Sequence, residues 1–143
     1  MRLIFRHWND ANGTMLKNLL FITLLFALVS AEAAQNRTAL VIGNSSYADA
    51  PLKNPANDAR DMTAALRQLG FDVIERINAN QQQMEEAIDA FGRKLEQKKG
   101  VGLLFYAGHG IQSGGENYLI PVKAVIDRET DLRYKAVNAG KIL

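Results

Sequence analysis

The 143-residue sequence contains no cysteine. This absence excludes a disulfide framework and a cysteine-based zinc site within these residues, and it removes the thiol as a nucleophile. Catalysis by this chain alone would therefore have to depend on histidine, hydroxyl or carboxylate groups.

Histidine is scarce as well, because His7 and His109 are the only two in the chain. The sequence has no HExxH metal motif and no phosphate-binding GxxxxGK[ST] loop. A zinc site would need carboxylates alone beside His109, so we predict no metal and no cofactor. The net charge is +2 and no basic run exceeds the pair Lys98 and Lys99, which argues against a nucleic-acid partner.

The sequence also lacks the run of about 20 apolar residues that a transmembrane helix requires. Its longest such run covers residues 19–29, with Lys17 before it and the small-x-small pattern of residues 31–33 after it. The order basic, apolar, small is typical of a secretory signal peptide. We predict that residues 1–33 are a signal peptide, in which residues 1–14 are either a misassigned start or a long amino-terminal region. A buried helix of the folded domain is the alternative interpretation. The mature protein would be exported, to the periplasm or the medium, with no stable membrane anchor after cleavage.

What the sequence does contain is an alternation of β-rich and helical segments. Asn54 is expected to cap the first helix, and Asn80 with Gln83 to form a capping box at the second. The order β-α-β-α-β predicts an α/β fold with a mostly parallel sheet. The predicted strands cover residues 38–43, 71–75 and 101–106, and the predicted helices cover residues 54–69 and 80–99.

The third β-rich run is almost uniformly apolar and ends in the sequence AGHG at residues 107–110. Such a run predicts a strand that is buried on both faces of the sheet. Catalytic groups of α/β sheets lie just beyond the carboxyl ends of the strands, which is where His109 is expected. The flanking glycines leave the imidazole open to close approach. A turn residue without a function is the alternative interpretation of this histidine.

The alternation stops after Gly110. Residues 111–121 predict two short strands around a Gly-Gly turn, and residues 138–143 predict the first turn of a helix. A dinucleotide-binding fingerprint would need glycine at position 113 and a helix after it, whereas Ser113 and a hairpin follow.

Four blocks of the sequence together resemble the large-subunit (p20) region of the caspase-like peptidases, and most of all the bacterial metacaspase-like proteins. These blocks are residues 37–47, 52–59, 105–110 and 117–122. The resemblance implies a caspase-like three-layer α/β sandwich over residues 37–143. It also implies cysteine-type endopeptidase activity on peptide or protein substrates.

By the same resemblance, His109 is the histidine of a catalytic Cys-His dyad, and the backbone N–H of Gly110 contributes to the oxyanion hole. The cysteine of such enzymes lies about 50 residues beyond the histidine, which is past Leu143. We therefore expect a p20 domain that is incomplete at its carboxyl end, truncated before the strand that carries the nucleophile, and inactive as it stands.

Two other classes of protein stay open at this point. A non-catalytic pseudo-peptidase would keep the fold as an interaction module without the cysteine. A flavodoxin-like nucleotide-binding domain would share the alternation of strands and helices, although its phosphate loop is missing. The sequence predicts no particular oligomeric state.

Overall fold

The computed structural model describes residues 36–142, so the predicted signal peptide lies outside the described residues. Within the described part, no helix is both long and apolar enough to cross a membrane. The elements in chain order are β1 (Arg37–Gly43), α1 (Pro55–Gln68), β2 (Asp72–Ile77), α2 (Gln81–Lys98), β3 (Val101–Ala107), β4 (Gly110–Ser113), β5 (Glu116–Leu119), a 3₁₀ turn (Glu129–Asp131), α3 (Leu132–Lys135), β6 (Val137–Asn138) and a second 3₁₀ turn (Ala139–Lys141).

Three parallel strands form the main sheet in the order β2-β1-β3. Residue Val41 in the middle of β1 lies between Glu75 of β2 and Phe105 of β3. Every residue of β1 except Arg37 is buried. The prediction that the third strand is buried on both faces was wrong, because among the described residues β3 is an edge strand with partly exposed side chains.

Side chains alternate along β1 and divide the core between the two faces of the sheet. Ala39 and Val41 lie in a buried cluster with α1, whereas Leu40 and Ile42 lie in a cluster with α2. Because β2 and β3 lie on opposite sides of β1, two crossovers of the same hand place their helices on opposite faces. The three-layer α/β sandwich is thus confirmed.

The two helices begin in different ways. At α2, the Asn80 side chain accepts from the Gln83 N–H, and the Gln83 side chain accepts from the Asn80 N–H, so the predicted capping box is confirmed. At α1, the Asn54 side chain makes no capping hydrogen bond, contrary to expectation. The hydroxyl of Ser45 instead accepts from the Ala56 N–H at 2.9 Å, which ties the loop after β1 to the start of the helix.

A second, antiparallel sheet has the strand order β4-β5-β6. Gly114 and Gly115 join β4 to β5 with φ values of 58° and 82°, the left-handed geometry that a two-residue type I′ turn requires. The predicted hairpin is therefore confirmed. The helical turn predicted at residues 138–143 begins one residue later than expected, because Val137 and Asn138 pair with β5 as a strand.

One ion cluster joins β2 to the carboxyl end of α2. The Asp72 carboxylate accepts from Lys94 at 2.7 Å and from Lys98 at 2.9 Å. These two hydrogen bonds lower the pKa of Asp72 below its ordinary value. The cluster lies at the amino end of the parallel strands, away from His109.

Candidate active site

His109 lies two residues beyond the carboxyl end of β3, where the sequence predicts it, and is half-buried. The neighbouring strand β1 ends at the same level, since Gly43 pairs with Ala107 and the Asn44 N–H donates to the Ala107 carbonyl at 2.8 Å. The loop that follows β1 therefore runs directly beside the histidine.

The imidazole of His109 contacts this loop in two places. Its Nε2 lies 2.7 Å from the carbonyl oxygen of Ala50. Its ring packs against the ring of Tyr47, with 4.4 Å between the centroids and a tilt of 55°. A carbonyl oxygen can only accept a hydrogen bond, so Nε2 carries the proton and the lone pair of the neutral ring is on Nδ1.

Two phenols hold the backbone of His109. The hydroxyl of Tyr47 accepts from the His109 N–H at 3.0 Å and donates to the Ile120 carbonyl at 2.9 Å. The hydroxyl of Tyr106 lies 2.8 Å from the His109 carbonyl and 3.0 Å from the Ile120 carbonyl, and it shares its single proton between them. Both polar atoms of the histidine main chain are thereby fixed by side chains.

The Tyr106 phenol is a neutral donor. Burial, and then the adjacent hydroxyl of Tyr47 at 3.2 Å, raise the pKa of Tyr106 well above its ordinary value. The phenol therefore keeps its proton throughout the physiological range. It is available for hydrogen bonding and not for acid–base chemistry.

Three polar side chains fix the loop that carries Tyr47 and Ala50. Asn44 is fully buried; its Oδ1 accepts from the Ala79 N–H at 2.9 Å, and its Nδ2 lies 3.3 Å from the Ile120 carbonyl. Asn78 has a left-handed backbone (φ 54°), and its Oδ1 accepts from the backbone N–H groups of Ser45 and Ser46 at 2.8 and 3.0 Å. Ser45 in turn holds the start of α1. Residues 44–46 match the N-x-S acceptor pattern for glycosylation, but the buried Asn44 side chain is not accessible for that modification.

Gly110 follows the histidine as the first residue of β4 and is exposed. The Ile120 N–H donates to the His109 carbonyl at 3.0 Å, and Gly110 pairs with Leu119 one step further along the hairpin. Hydrogen-bonded and non-hydrogen-bonded pairs alternate in an antiparallel ladder. The N–H of Gly110 therefore points away from β5, toward the outer edge of β4.

A groove of about 480 Å³ opens beside the imidazole. The loop after β1 and the segment after β5 form its walls, and its lining is mostly apolar. Ile111 and Val125, which are 40% and 59% exposed, are among the large apolar side chains most open to solvent in the described part of the chain. Lys123, with a left-handed backbone (φ 71°), adds a positive charge to the rim.

His109 and Gly110, the two site residues predicted from the sequence, lie next to each other at the carboxyl edge of the sheet. The contributions of Tyr47, Tyr106 and Ala50 were missed, because no local pattern marks a hydroxyl or a carbonyl whose partner is 59 residues away. Ser113 offers no alternative nucleophile, since its hydroxyl donates to Glu129 at the far end of β4. Within residues 36–142, no group of three or more histidine or acidic side chains is arranged to hold a metal ion.

Comparison with known proteins relates this chain to one family. Residues 36–140 match the sequence profile of the caspase domain. The human mucosa-associated lymphoid tissue lymphoma translocation protein 1 is 42% identical over 93 residues, and its mouse homologue is 43% identical over 93 residues. These alignments cover 64% of this chain and 11% of each relative, so the chain matches only a small part of the length of these curated proteins.

Proposed function

Because the chain belongs to the caspase domain family, we propose that it forms the histidine-bearing part of a cysteine-type endopeptidase domain. The single observation that carries this proposal is the contact between His109 Nε2 and the Ala50 carbonyl at 2.7 Å. The thiol would come from polypeptide beyond these residues, because the 143 residues contain no cysteine.

The Ala50 contact supports different roles for the two ring nitrogens, with Nε2 as a hydrogen-bond donor to Ala50 and Nδ1 as the proton-transfer group. With its proton on Nε2, the neutral imidazole presents Nδ1 as the base that removes the thiol proton. A free thiol has a pKa of about 8.5, so a neighbouring base is needed to generate the thiolate at neutral pH. The resulting imidazolium would keep its Nε2–H on Ala50, in a bond strengthened by the charge. Nδ1 then delivers its proton to the leaving amine.

The orientation of Gly110 supports its proposed part in the oxyanion hole. Its N–H points out of the hairpin and has no β5 carbonyl to serve. A backbone N–H fixed in this way stabilises the negative charge that develops on the scissile carbonyl oxygen. The Gly110 N–H lies one residue from the imidazole. One peptide bond can therefore place its carbonyl oxygen at this N–H and its leaving amine at His109.

The same surroundings support the proposed substrate class. The groove beside His109 is open and mostly apolar, with room for an extended peptide. We propose a peptide or protein substrate and no cofactor. We also propose that the protein is exported and that it is most similar to the bacterial metacaspase-like proteins.

A non-catalytic interaction module is the second candidate, and the missing cysteine favours it. Such a module would keep the same sandwich and the same groove. A short Nε2–Ala50 contact would then serve only to fix the loop after β1, and the direction of the Gly110 N–H would have no consequence.

The deciding experiment extends the coding sequence into the DNA that follows the codon for Leu143. An in-frame cysteine about 50 residues after His109, with peptide cleavage by the longer protein, would establish the peptidase. His109→Ala should then lower kcat about 10²–10⁴-fold, the usual loss on removing a general acid–base group. Tyr134→Phe, at a position that is 78% exposed, is the control and should cleave like the wild type.

Thiol-directed inhibitors should block the longer protein and find no target in the 143-residue chain. Cleavage that survives His109→Ala would refute the proposed role of the histidine. A stop codon directly after Leu143 in several independent isolates would favour the interaction module.

A further inference from the structure

We infer that Tyr47 is a positioning residue for His109: its hydroxyl is inserted into the β-ladder between the His109 N–H and the Ile120 carbonyl, and this sets the orientation of the imidazole. The inference rests on the proposed function, which gives the orientation its purpose. Its test, however, reads the ring directly and requires no peptidase activity.

The insertion follows from the hydrogen bonds of the hairpin. In a hydrogen-bonded antiparallel pair the two residues exchange two N–H···O bonds. His109 and Ile120 make only one of these, from the Ile120 N–H to the His109 carbonyl at 3.0 Å. The place of the second is taken by the Tyr47 hydroxyl, which accepts from the His109 N–H at 3.0 Å and donates to the Ile120 carbonyl at 2.9 Å.

The same tyrosine also contacts the imidazole itself. Its ring packs against the His109 ring at a tilt of 55°, with 4.4 Å between the centroids, and the same loop supplies the Ala50 carbonyl to Nε2 only three residues later. One short loop therefore sets the backbone, the ring face and the protonated nitrogen of the histidine. Asn78 holds this loop through two backbone amides.

Removal of the Tyr47 hydroxyl should move the His109 main chain in one direction, toward β5. In Tyr47→Phe the ring can stay in place, but the His109 N–H and the Ile120 carbonyl are both left without the bridge. The Ile120 carbonyl keeps Tyr106 and Asn44 as donors, but the His109 N–H loses its acceptor. An unpaired N–H is costly, and the Ile120 carbonyl is the acceptor that faces it across the ladder. The ladder should therefore close, which moves the His109 main chain toward β5 and lengthens the Nε2–Ala50 contact.

Tyr106 provides the matched comparison. Its hydroxyl lies within hydrogen-bond distance of the carbonyls of His109 and Ile120 and of the hydroxyl of Tyr47, and it makes no hydrogen bond with the His109 N–H. Tyr106→Phe removes one buried hydroxyl from the same cluster but leaves the inserted bridge intact. The two variants thus lose the same atom and differ in whether the ladder can close.

The experiment is nitrogen NMR of the imidazole in the labelled 143-residue chain near neutral pH. In the wild type, the two ring nitrogens of His109 should give widely separated signals, with the proton on Nε2. In Tyr47→Phe this separation should shrink as the two tautomers mix, whereas Tyr106→Phe and the exposed control Tyr134→Phe should keep it. Urea unfolding of each variant records the stability separately.

Equal loss of stability in Tyr47→Phe and Tyr106→Phe with unchanged ring-nitrogen signals in both would overturn the inference, because Tyr47 would then be a structural residue only. If Tyr47→Phe does not fold, the wild type supplies the test. Nuclear Overhauser contacts between the Tyr47 and His109 rings and slow exchange of the His109 amide are expected. Absence of both would refute the inserted hydroxyl whether or not the longer protein proves to be a peptidase.

Discussion

Gly108 lies against the hydroxyl groups of Tyr47 and Tyr106, and a single methyl group added at Gly108 should displace them. A Cβ built on Gly108 would lie 2.6 Å from the hydroxyl oxygens of both Tyr47 and Tyr106. These distances are far shorter than a van der Waals contact, and both hydroxyls are held by hydrogen bonds to main-chain groups. Gly108→Ala should therefore push the phenols away from the His109 and Ile120 backbone.

The size of the effect has two parts. Overpacking a closely packed site costs about 1–3 kcal/mol. Weakening the hydrogen bonds to buried main-chain groups adds about 1–3 kcal/mol. We expect Gly108→Ala to lower the free energy of unfolding by about 2–6 kcal/mol, the sum of the two parts, which is a large share of the 5–15 kcal/mol typical of a small domain.

The assay is urea unfolding of the 143-residue chain, followed by circular dichroism, with Gly92→Ala as the matched control. Gly92 lies inside α2, and a Cβ there would meet nothing within 4 Å. Since glycine in a helix interior is less favourable than alanine by about 0.5–1 kcal/mol, the same substitution should stabilise at this position. A Gly108→Ala protein as stable as the wild type would refute the close contact described for the phenols.

Three further predictions concern pH, self-association and export. Because the pKa of Asp72 is lower in the folded state, its ionised form stabilises the fold at pH values above the unfolded-state pKa. This contribution is lost as the pH falls through the folded-state pKa. Asp72→Asn should therefore lower the urea midpoint near neutral pH and match the wild type well below pH 3.8. Among residues 36–142 the edge strand β3 carries no charge, so light scattering should show that the chain self-associates. Val101→Lys, at the exposed start of this strand, should reduce the self-association, whereas Leu69→Lys, at an exposed position outside the sheet, should not. A strictly monomeric wild type would contradict this prediction. Mass spectrometry of the periplasmic or secreted fraction should find an amino terminus near Ala34, and an uncleaved amino terminus there would count against the signal peptide.

Much of the sandwich could be predicted because its signals are local. Asn80 and Gln83 predict a capping box, and the structure has one. The Gly114–Gly115 pair predicts a two-residue turn, because few other residues tolerate two positive φ values in succession. Patterns of this kind are contained in a few neighbouring residues, so one sequence is enough to read them.

The order of the strands was harder to predict from the same patterns. Residues 38–43 and 101–106 are apolar runs of equal length, yet the first forms the central strand and the second forms an edge strand of the described sheet. Which run is central depends on the crossovers, not on hydrophobicity. Similarly, β6 is only two residues long, too short for a sequence pattern, and it is defined only by its pairing with β5.

The site itself was predictable only in its centre. His109 stands out because of the glycines on either side and the strand before it. Tyr47 and Asn44 do not, because each acquires its role only when β1, β3 and the hairpin come together. Asn44 is an extreme case, since it begins a polar stretch typical of an exposed loop and its side chain is fully buried in the structure.

The Ile120 carbonyl has a consequence for the order in which this molecule can be built. Its donors come from Asn44, Tyr47 and Tyr106, at sequence separations of 76, 73 and 14 residues. Contacts of such length form late, after shorter loops have closed. During synthesis on the ribosome, β1 and α1 can begin to collapse while the histidine is still unordered. The imidazole can reach its final orientation only once residue 120 has emerged, so His109 would stay unoriented in every nascent chain shorter than that.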